Sequence, residues 1–493
     1  MLSKRTLLIS LPLVFSTFTH IWNPIGFPDI FYDEGIYMRR AMHILEGLGP
    51  QESYFYDHPF FGQVFLAAIL GIIGYPNSIN PDSGNTHSIE MLYIVPRVII
   101  GILAVIDTLI IYKISERSYN WKIALFASLL FAVMPIAWIT RRILLDSILL
   151  PFLLSSIFFS IYLRHSRRKF VPILISGISL GLAIFTKTPI VTILPLVAFL
   201  IFKNSNKNLK MIGLWFIPVI LIPLIWPVHA AYFGQFDLWL KDIIWQTQRH
   251  DNAFGSIVVS FFIIDPVLLT LSSAGIVFAA IEKNYFLLLW IIPFVIFISI
   301  IGFSQYFYWI PILPAFCIAV AVFIIHLLEN ITNQKSRRIA LFGVTSGIVI
   351  FGLVNNTMLI TTDISNQFQA AAFTFKYLQE NNDGNIINSS DVTLISSPVY
   401  SWIFNYVFNK QHILSDYRDL LYSPIQTKKV LLIADPHFKS NIDSGVQLRD
   451  KYENTRTIKI FRGDVLNFDL QKYPYTSMVK NYEGSIIEIR IRP

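Results

Sequence analysis

The chain has 493 residues, of which 54% are hydrophobic and only 14% charged, with a net charge of +8. A water-soluble domain keeps about a quarter of its residues charged, so the composition excludes an ordinary soluble enzyme and implies a chain solvated largely by lipid. The positive excess is read as basic cytoplasmic loops. No basic run is interleaved with aromatics in the way single-stranded nucleic acid requires, so no nucleic-acid partner is expected.

About 20 apolar residues are needed to cross a bilayer as a helix. Such windows fall at 6–22, 91–112, 123–140, 143–162, 171–186, 188–202, 211–231, 258–280, 285–302, 306–327 and 339–360, which predicts about eleven spans. The first window follows Lys4 and Arg5, but no small-residue cleavage site comes after it, so it is read as a span rather than a signal peptide. Basic residues set the orientation. One set of alternate connections holds sixteen (Lys4, Arg5, Lys113, Arg117, Lys122, Arg164, Arg167, Arg168, Lys169, Lys203, Lys207, Lys210, Lys283, Lys335, Arg337, Arg338). The opposite set holds Arg39, Arg40, Arg141, Arg142, Lys187, Lys241 and Arg249. Basic loops stay in the cytoplasm, so the N-terminus is expected inside and, with an odd number of spans, the C-terminal region outside the cell membrane.

Between the first two spans, residues 23–90 form a long outer loop. It carries Phe31-Tyr-Asp-Glu-Gly-Ile-Tyr37 and Tyr56-Asp-His-Pro59. Gly35–Leu48 and Gln63–Ile73 read as short interfacial helices, and Asn77–His87 as an irregular connection. Ala230–Gly255 is a second outer loop, with further outer turns at Arg141, Lys187 and Ser304. After about residue 360 the composition turns polar. Val392–Ser396 and Val430–Ala434 are short apolar runs, and Ser485–Arg492 alternates Ile487, Ile489 and Ile491 with charges, as a half-buried strand does. The expected organisation is a transmembrane domain over 1–360, with 23–90 as its outer catalytic loop, and a soluble extracytoplasmic α/β domain over 361–493. Asn388-Ser-Ser390 is a possible glycosylation acceptor.

The ionisable residues at the outer ends carry the chemistry. Asp33 and Glu34 are adjacent carboxylates at a membrane surface. Acids there also suit a helix N-terminus, where they meet the positive end of the dipole, but a carboxylate on an ordered loop can equally take a proton as general base. His58 sits in the same loop beside Asp57; it could bind a phosphate or simply make a turn. Arg97 lies within the second span. Arg141, Arg142 and Asp146 stand where two spans meet, with a helical ion pair plausible between them, and Lys187 stands at a helix break. These cations can be neutralised or snorkel to headgroups, or can hold a lipid phosphate, which suits the planar fork of arginine. Charge at bilayer depth is a functional hypothesis by default, and acids and cations are expected to meet in one outer-leaflet pocket. Gln305–Trp309 reads as an interfacial aromatic belt or as a surface for sugar or polyprenyl packing. No His pair at i, i+4 and no Cys cluster offers a metal site; Cys317 is the single cysteine. No phosphate-binding glycine loop occurs. No cofactor is therefore expected, and nothing in the sequence argues for a divalent cation.

These motifs resemble a known family. Tyr32-Asp-Glu-Gly-Ile-Tyr37 with Tyr56-Asp-His-Pro59 is similar to the first outer loop of the GT-C glycosyltransferases, in the branch of protein O-mannosyltransferases and aminoarabinose transferases. Thr140-Arg-Arg-Ile-Leu-Leu-Asp-Ser147, Gly181-Leu-Ala-Ile-Phe-Thr-Lys-Thr-Pro189 and Tyr306-Phe-Tyr-Trp-Ile-Pro-Ile-Leu-Pro314 resemble three later segments of the same branch, in the same order. The resemblance covers about 6–330. The Trp-Trp-Asp motif of oligosaccharyltransferases is not found. What the resemblance implies is an inverting transfer of a hexose, mannose first, from a polyprenyl-phosphate such as dolichyl-phosphate to a hydroxyl on protein, glycan or lipid at the outer face. It implies Asp33 as catalytic base, Glu34 shaping the acceptor site, and His58, Arg141, Arg142 and Lys187 around the donor phosphate. Tyr37, Arg97, Asp146 and Tyr306 would support them. Two other readings are a transporter or flippase of lipid-linked sugars, which predicts repeated halves and polar residues threaded through mid-membrane, and a non-catalytic membrane scaffold. The polar groups collect at one face and no internal repeat is visible, which favours the transferase.

Overall fold

The computed structural model describes residues 4–52, 55–79, 84–249, 254–380, 392–400, 402–408, 429–441, 452–464 and 486–492. Among them are seventeen α-helices: α1 (Lys4–Ile21), α2 (Tyr32–Leu45), α3 (Phe61–Ile72), α4 (Thr86–Ser118), α5 (Trp121–Val133), α6 (Leu145–Tyr162), α7 (Phe170–Thr186), α8 (Leu194–Asn204), α9 (Leu209–Tyr232), α10 (Phe236–Gln248), α11 (Phe254–Ile264), α12 (Pro266–Ile281), α13 (Tyr285–Ile300), α14 (Leu313–Glu329), α15 (Gln334–Ile360), α16 (Asn366–Glu380) and α17 (Pro436–Asn441). Four strands follow the helical region: β1 (Val392–Ile395), β2 (Lys429–Ala434), β3 (Arg456–Arg462) and β4 (Ile486–Arg492). The expected class, a multi-pass helical membrane protein with a small C-terminal sheet domain, is what the chain adopts. Asn388-Ser-Ser390 lies outside the described residues.

All eleven expected windows fall on helix. Among the described residues, five helices are long and apolar enough to cross a membrane, or seven if each of two bent pairs counts as one span. The shorter apolar helices Leu8–Ile21, Phe170–Thr186, Thr188–Asn204 and Tyr285–Ile300 cover the other windows. The window at 258–280 is not one straight helix. It bends by 117° between α11 and α12, because Pro266 starts α12 and the Asp265 side chain caps it by accepting from Leu268 N, so the backbone ladder stops and restarts there. The segment expected as the second outer loop, Ala230–Gly255, contains a helix, α10.

Several helices start at an asparagine cap. Asn120 accepts from Lys122 N and Ile123 N, Asn208 from Lys210 N, and Asn333 from Lys335 N and Ser336 N. Each satisfies backbone donors that a helix start would otherwise leave unpaired. All three belong to the basic set of connections.

The chain divides into two compact units. The first comprises 1–22, 49–65 and 99–357. Here small residues set the helix spacing. A Cβ on Gly177 would lie 2.7 Å from Trp215 O, and one on Gly181 2.7 Å from Pro218 O. Glycine one turn apart thus lets α7 approach the backbone of α9, the packing mode favoured where lipid supplies no hydrophobic drive between helices. The α6 and α14 spans are mostly buried within the bundle, while α9 is mostly outward-facing. Three 3-10 turns, Pro135–Arg141, Thr188–Ile193 and Tyr306–Ile312, each precede or follow a span. Each contains a proline that starts or interrupts regular helix.

The second unit comprises 23–48, 66–98 and 358–493. Its sheet has the order β1-β2-β4-β3, with β1 parallel to β2 and the other pairs antiparallel. In β4 Ile487 and Ile489 are buried while Glu488 and Arg490 point to the other face and bond each other, the alternation expected of Ser485–Arg492. Val430, Leu432 and Ala434 of β2 pack with Ile395 and Phe438 into a small core. The segment after α15 lies along residues 23–30: Asn23 Nδ2 donates to Ile360 O and Thr362 O, Ile364 N to Gly26 O, and Ile30 N to Gln367 Oε1.

Candidate active site

Asp33 and Glu34 open α2 after Phe31, whose extended backbone forms the N-cap. Their fates differ. Glu34 is fully buried, with Arg97 Nε 3.1 Å from Oε1, Arg97 Nη2 2.7 Å from Oε2, and Phe31 N 3.1 Å from Oε2. Such a forked pair is directional as well as strong. The remaining Arg97 donors reach Pro24 O (2.8 Å), Pro28 O (2.6 Å) and Asp29 O (2.8 Å). One guanidinium thereby fixes the whole approach to α2, and Glu34 works as its counter-charge. Asp33, one residue earlier, is half-buried in the first helical turn. Tyr37 is buried one turn on. Asp33, Glu34, Tyr37 and Arg97 all belong to the second unit.

The other expected residues, His58, Arg141, Arg142, Asp146, Lys187 and Tyr306, belong to the first unit. Arg141 ends the Pro135–Arg141 turn; it donates to Thr19 O at 3.2 Å and to Trp22 O, at the end of α1. Arg142 stacks over the Trp138 ring, 5.3 Å from its centroid, and that ring lies 6.0 Å from the ring of Tyr306. The ion pair expected within Arg141–Asp146 is not formed. Asp146 instead receives Lys187 Nζ at 2.6 Å, both side chains almost wholly buried. The reason is local: the 3-10 turn ends at Arg141 and α6 starts at Leu145, so the helical i, i+4 relation does not hold across them. Lys187 Nζ also lies 4.1 Å from the Tyr308 centroid and 5.1 Å from that of Phe307, a placement that holds a cation partly through ring quadrupoles. Gln305–Trp309 is therefore a 3-10 turn folded onto the lysine as well as an aromatic patch.

The His58 loop is pinned by α10. Asp242 Oδ2 accepts from Tyr56 N at 2.7 Å, and Tyr56 OH donates to Gln235 Oε1 at 2.5 Å. Phe60 then packs edge-on against Phe185, 4.9 Å between centroids. A Cβ on Gly62 would lie 2.5 Å from Leu145 Cδ2 and 3.0 Å from Thr186 Cγ2. The loop thus runs against the chain neighbours of both Asp146 and Lys187. His58 itself is half-buried, its N–H held by Asp57 Oδ1 at 2.9 Å.

Sequence reasoning missed Asp242, Gln235 and Asp265. Asp265 Oδ2 accepts from Ile136 N at 3.4 Å while its Oδ1 caps α12 at 2.9 Å, tying the α11–α12 bend to the turn that carries Trp138 and Arg141. Asp-Pro before an apolar run is a readable helix start and could have located it. Asp242 has no such signal. Among the described residues no group of three or more His, Cys, Asp or Glu side chains could hold a metal ion.

Residues 91–230 match the family described as dolichyl-phosphate-mannose-protein mannosyltransferase. In structure, the chain is similar to the oligosaccharyltransferase of Archaeoglobus fulgidus in its apo form, with 14% identity and a TM-score of 0.57 over 92% of this chain and 73% of that one. The chain has the fold of the GT-C glycosyltransferases. The same Archaeoglobus fulgidus enzyme in complex with an inhibitory peptide and a dolichol-phosphate gives 14% identity and a TM-score of 0.56 over 92% and 72%. ArnT from Cupriavidus metallidurans bound to undecaprenyl phosphate gives 13% identity and a TM-score of 0.49 over 98% and 97%. No curated protein matches the chain in sequence. The family match contains Arg97, Arg141, Arg142, Asp146 and Lys187, whereas Asp33, Glu34, Tyr37, His58 and Tyr306 lie outside it.

Proposed function

We propose that this GT-C chain is a membrane hexosyltransferase that moves mannose from dolichyl-phosphate, or a similar polyprenyl-phosphate, to a hydroxyl acceptor. The observation that carries the proposal is the content of the matched segment: 91–230 supplies four almost wholly buried cations, Arg97, which pairs with Glu34, and Arg141, Arg142 and Lys187. Buried cations of this density are costly in a membrane bundle unless they serve a ligand, and a lipid-linked phosphate is the anion that the match suggests. The structural neighbour bound to dolichol-phosphate and a peptide supports a lipid phosphate as leaving group and a protein as one candidate acceptor, beside glycan and lipid.

In the proposed reaction the acceptor hydroxyl gives its proton to the Asp33 carboxylate. Its oxygen attacks the anomeric carbon, the bond from that carbon to the phosphate oxygen breaks, and polyprenyl phosphate leaves with inversion. Arg141, Arg142, Lys187 and His58 stabilise the leaving phosphate, as preorganised donors do where charge develops. Asp146 holds Lys187, Tyr306 backs Trp138, Arg97 anchors the loop before α2, and Glu34 fixes the helical turn that presents Asp33; with Tyr37 it borders the acceptor. The N-terminus is cytoplasmic in this reading, and residues 361–493 with loop 23–90 lie outside.

The test is transfer of radiolabelled mannose from dolichyl-phosphate by the purified chain to a panel of serine- and threonine-containing peptides, glycans and lipids. Wild-type incorporation that is lost in Arg141→Ala and Lys187→Ala supports the reading. Incorporation that survives both substitutions in folded protein removes the phosphate-binding role.

A further inference from the structure

The second unit contains an arrangement that the reaction as proposed does not use. Gly35, two residues after Asp33, faces the indole of Trp402: a Cβ at Gly35 would lie 2.4 Å from Trp402 Cδ1 and 3.0 Å from its Cγ. Trp402 is 3% exposed and starts the helical turn Trp402–Val407, which comes from the polar C-terminal region. Its indole N–H donates to Tyr93 OH at 2.6 Å, and the two rings meet at 64° with centroids 5.7 Å apart. The Tyr93 ring in turn lies 5.2 Å from the Arg97 guanidinium, which holds Glu34. At the other end of α2, Tyr406 OH donates to Glu46 Oε2 at 2.5 Å. One short turn of the C-terminal region therefore grips α2 at both ends. At the first end only glycine leaves room for the indole.

We infer that Trp402 is a positioning residue: seated on Gly35 and tied to Tyr93, it sets the first turn of α2 and so the place of the Asp33 carboxylate. This gives the C-terminal region a direct part in the chemistry and rests on Asp33 being the base. Gly35 is in this account a matched hollow. Filling it and removing the tryptophan displace the same turn from opposite sides. A displacement of about 1 Å at a catalytic group costs on the order of 100-fold in rate.

The experiment uses full-length protein in detergent, with radiolabelled dolichyl-phosphate mannose as donor and the acceptor panel above. Trp402→Ala and Gly35→Ala each lower kcat by about 10- to 100-fold while the donor KM stays within about two-fold, because the donor phosphate is assigned to residues of the first unit; Trp402→Phe, which keeps a ring in the hollow, recovers part of the loss. In the Trp402→Ala background, Gly35→Ala has little further effect, since the methyl now has space; contacting residues couple in this way and distant ones do not. Amide hydrogen exchange over 35–45, which needs no substrate, is faster in Trp402→Ala than in wild type. Unchanged exchange in that variant, a kcat equal to wild type, or fully independent effects of the two substitutions each overturn the inference. An Asp33→Asn variant that still transfers at the wild-type rate overturns the base assignment instead, and the grip on α2 is then judged by exchange alone.

Discussion

Two buried ion pairs behave differently from what a residue inventory suggests. Lys187 and Asp146 bond at 2.6 Å with both side chains almost wholly buried, so removing the lysine leaves the aspartate buried without its cation. Lys187→Met is expected to lower stability by about 3–5 kcal/mol. The double variant Lys187→Met with Asp146→Leu should regain most of that in thermal unfolding yet transfer no sugar, because the cation proposed for the donor phosphate is gone. Recovery of transfer along with stability would make Lys187 a purely structural residue. Glu34 and Arg97 form the second pair. Adjacent acids look equivalent in sequence, and nothing in Asp33-Glu34 says which one is neutralised. The distinction comes from an arginine 63 residues away, which only the folded chain brings to it.

The elements that hold site residues are short, irregular and tied by single polar contacts. Asp242 on α10 fixes the His58 loop through one backbone N–H. Asp242→Ala should raise the donor KM several-fold with a smaller change in kcat, read from initial rates at varied donor; an unchanged KM would free His58 from the phosphate role. At the C-terminal sheet, burial raises the carboxyl of Asp435 to about 6, opposed by the Ser397 hydroxyl at 2.6 Å and by Phe438 N–H. A folded value above the unfolded one means that this stability is complete below about pH 4 and is lost as pH rises through about 6. The loss amounts to about 3 kcal/mol, and Asp435→Asn should abolish it, as measured by protection factors of the β2 amides between pH 4 and 7. Strand β4 and the two apolar runs were legible because their alternation or length matches burial. Strand β3 was not: it is an edge strand, mostly exposed, and its polar composition carries no core-facing pattern. The three 3-10 turns were visible only as breaks between apolar windows, since proline marks an interruption without saying how the chain turns.

For the molecule as a whole, hydropathy predicted where the apolar helices lie, because lipid imposes length and composition together. It did not predict the 117° bend at Asp265-Pro266, which depends on a cap and one proline. The basic set of connections predicts a cytoplasmic N-terminus; a reporter fused after Pro493 should be active only outside the cell, and activity inside would reverse the assignment. The central claim is that Asp33 is the base in transfer from a polyprenyl-phosphate sugar. Its most direct measurement is radiolabelled mannose transfer from dolichyl-phosphate by purified wild-type and Asp33→Asn proteins with matched unfolding temperatures. The account predicts incorporation by the wild type and a loss of at least about 100-fold in the variant, within the range general-base catalysis supplies. Near-equal incorporation by the two proteins would contradict it.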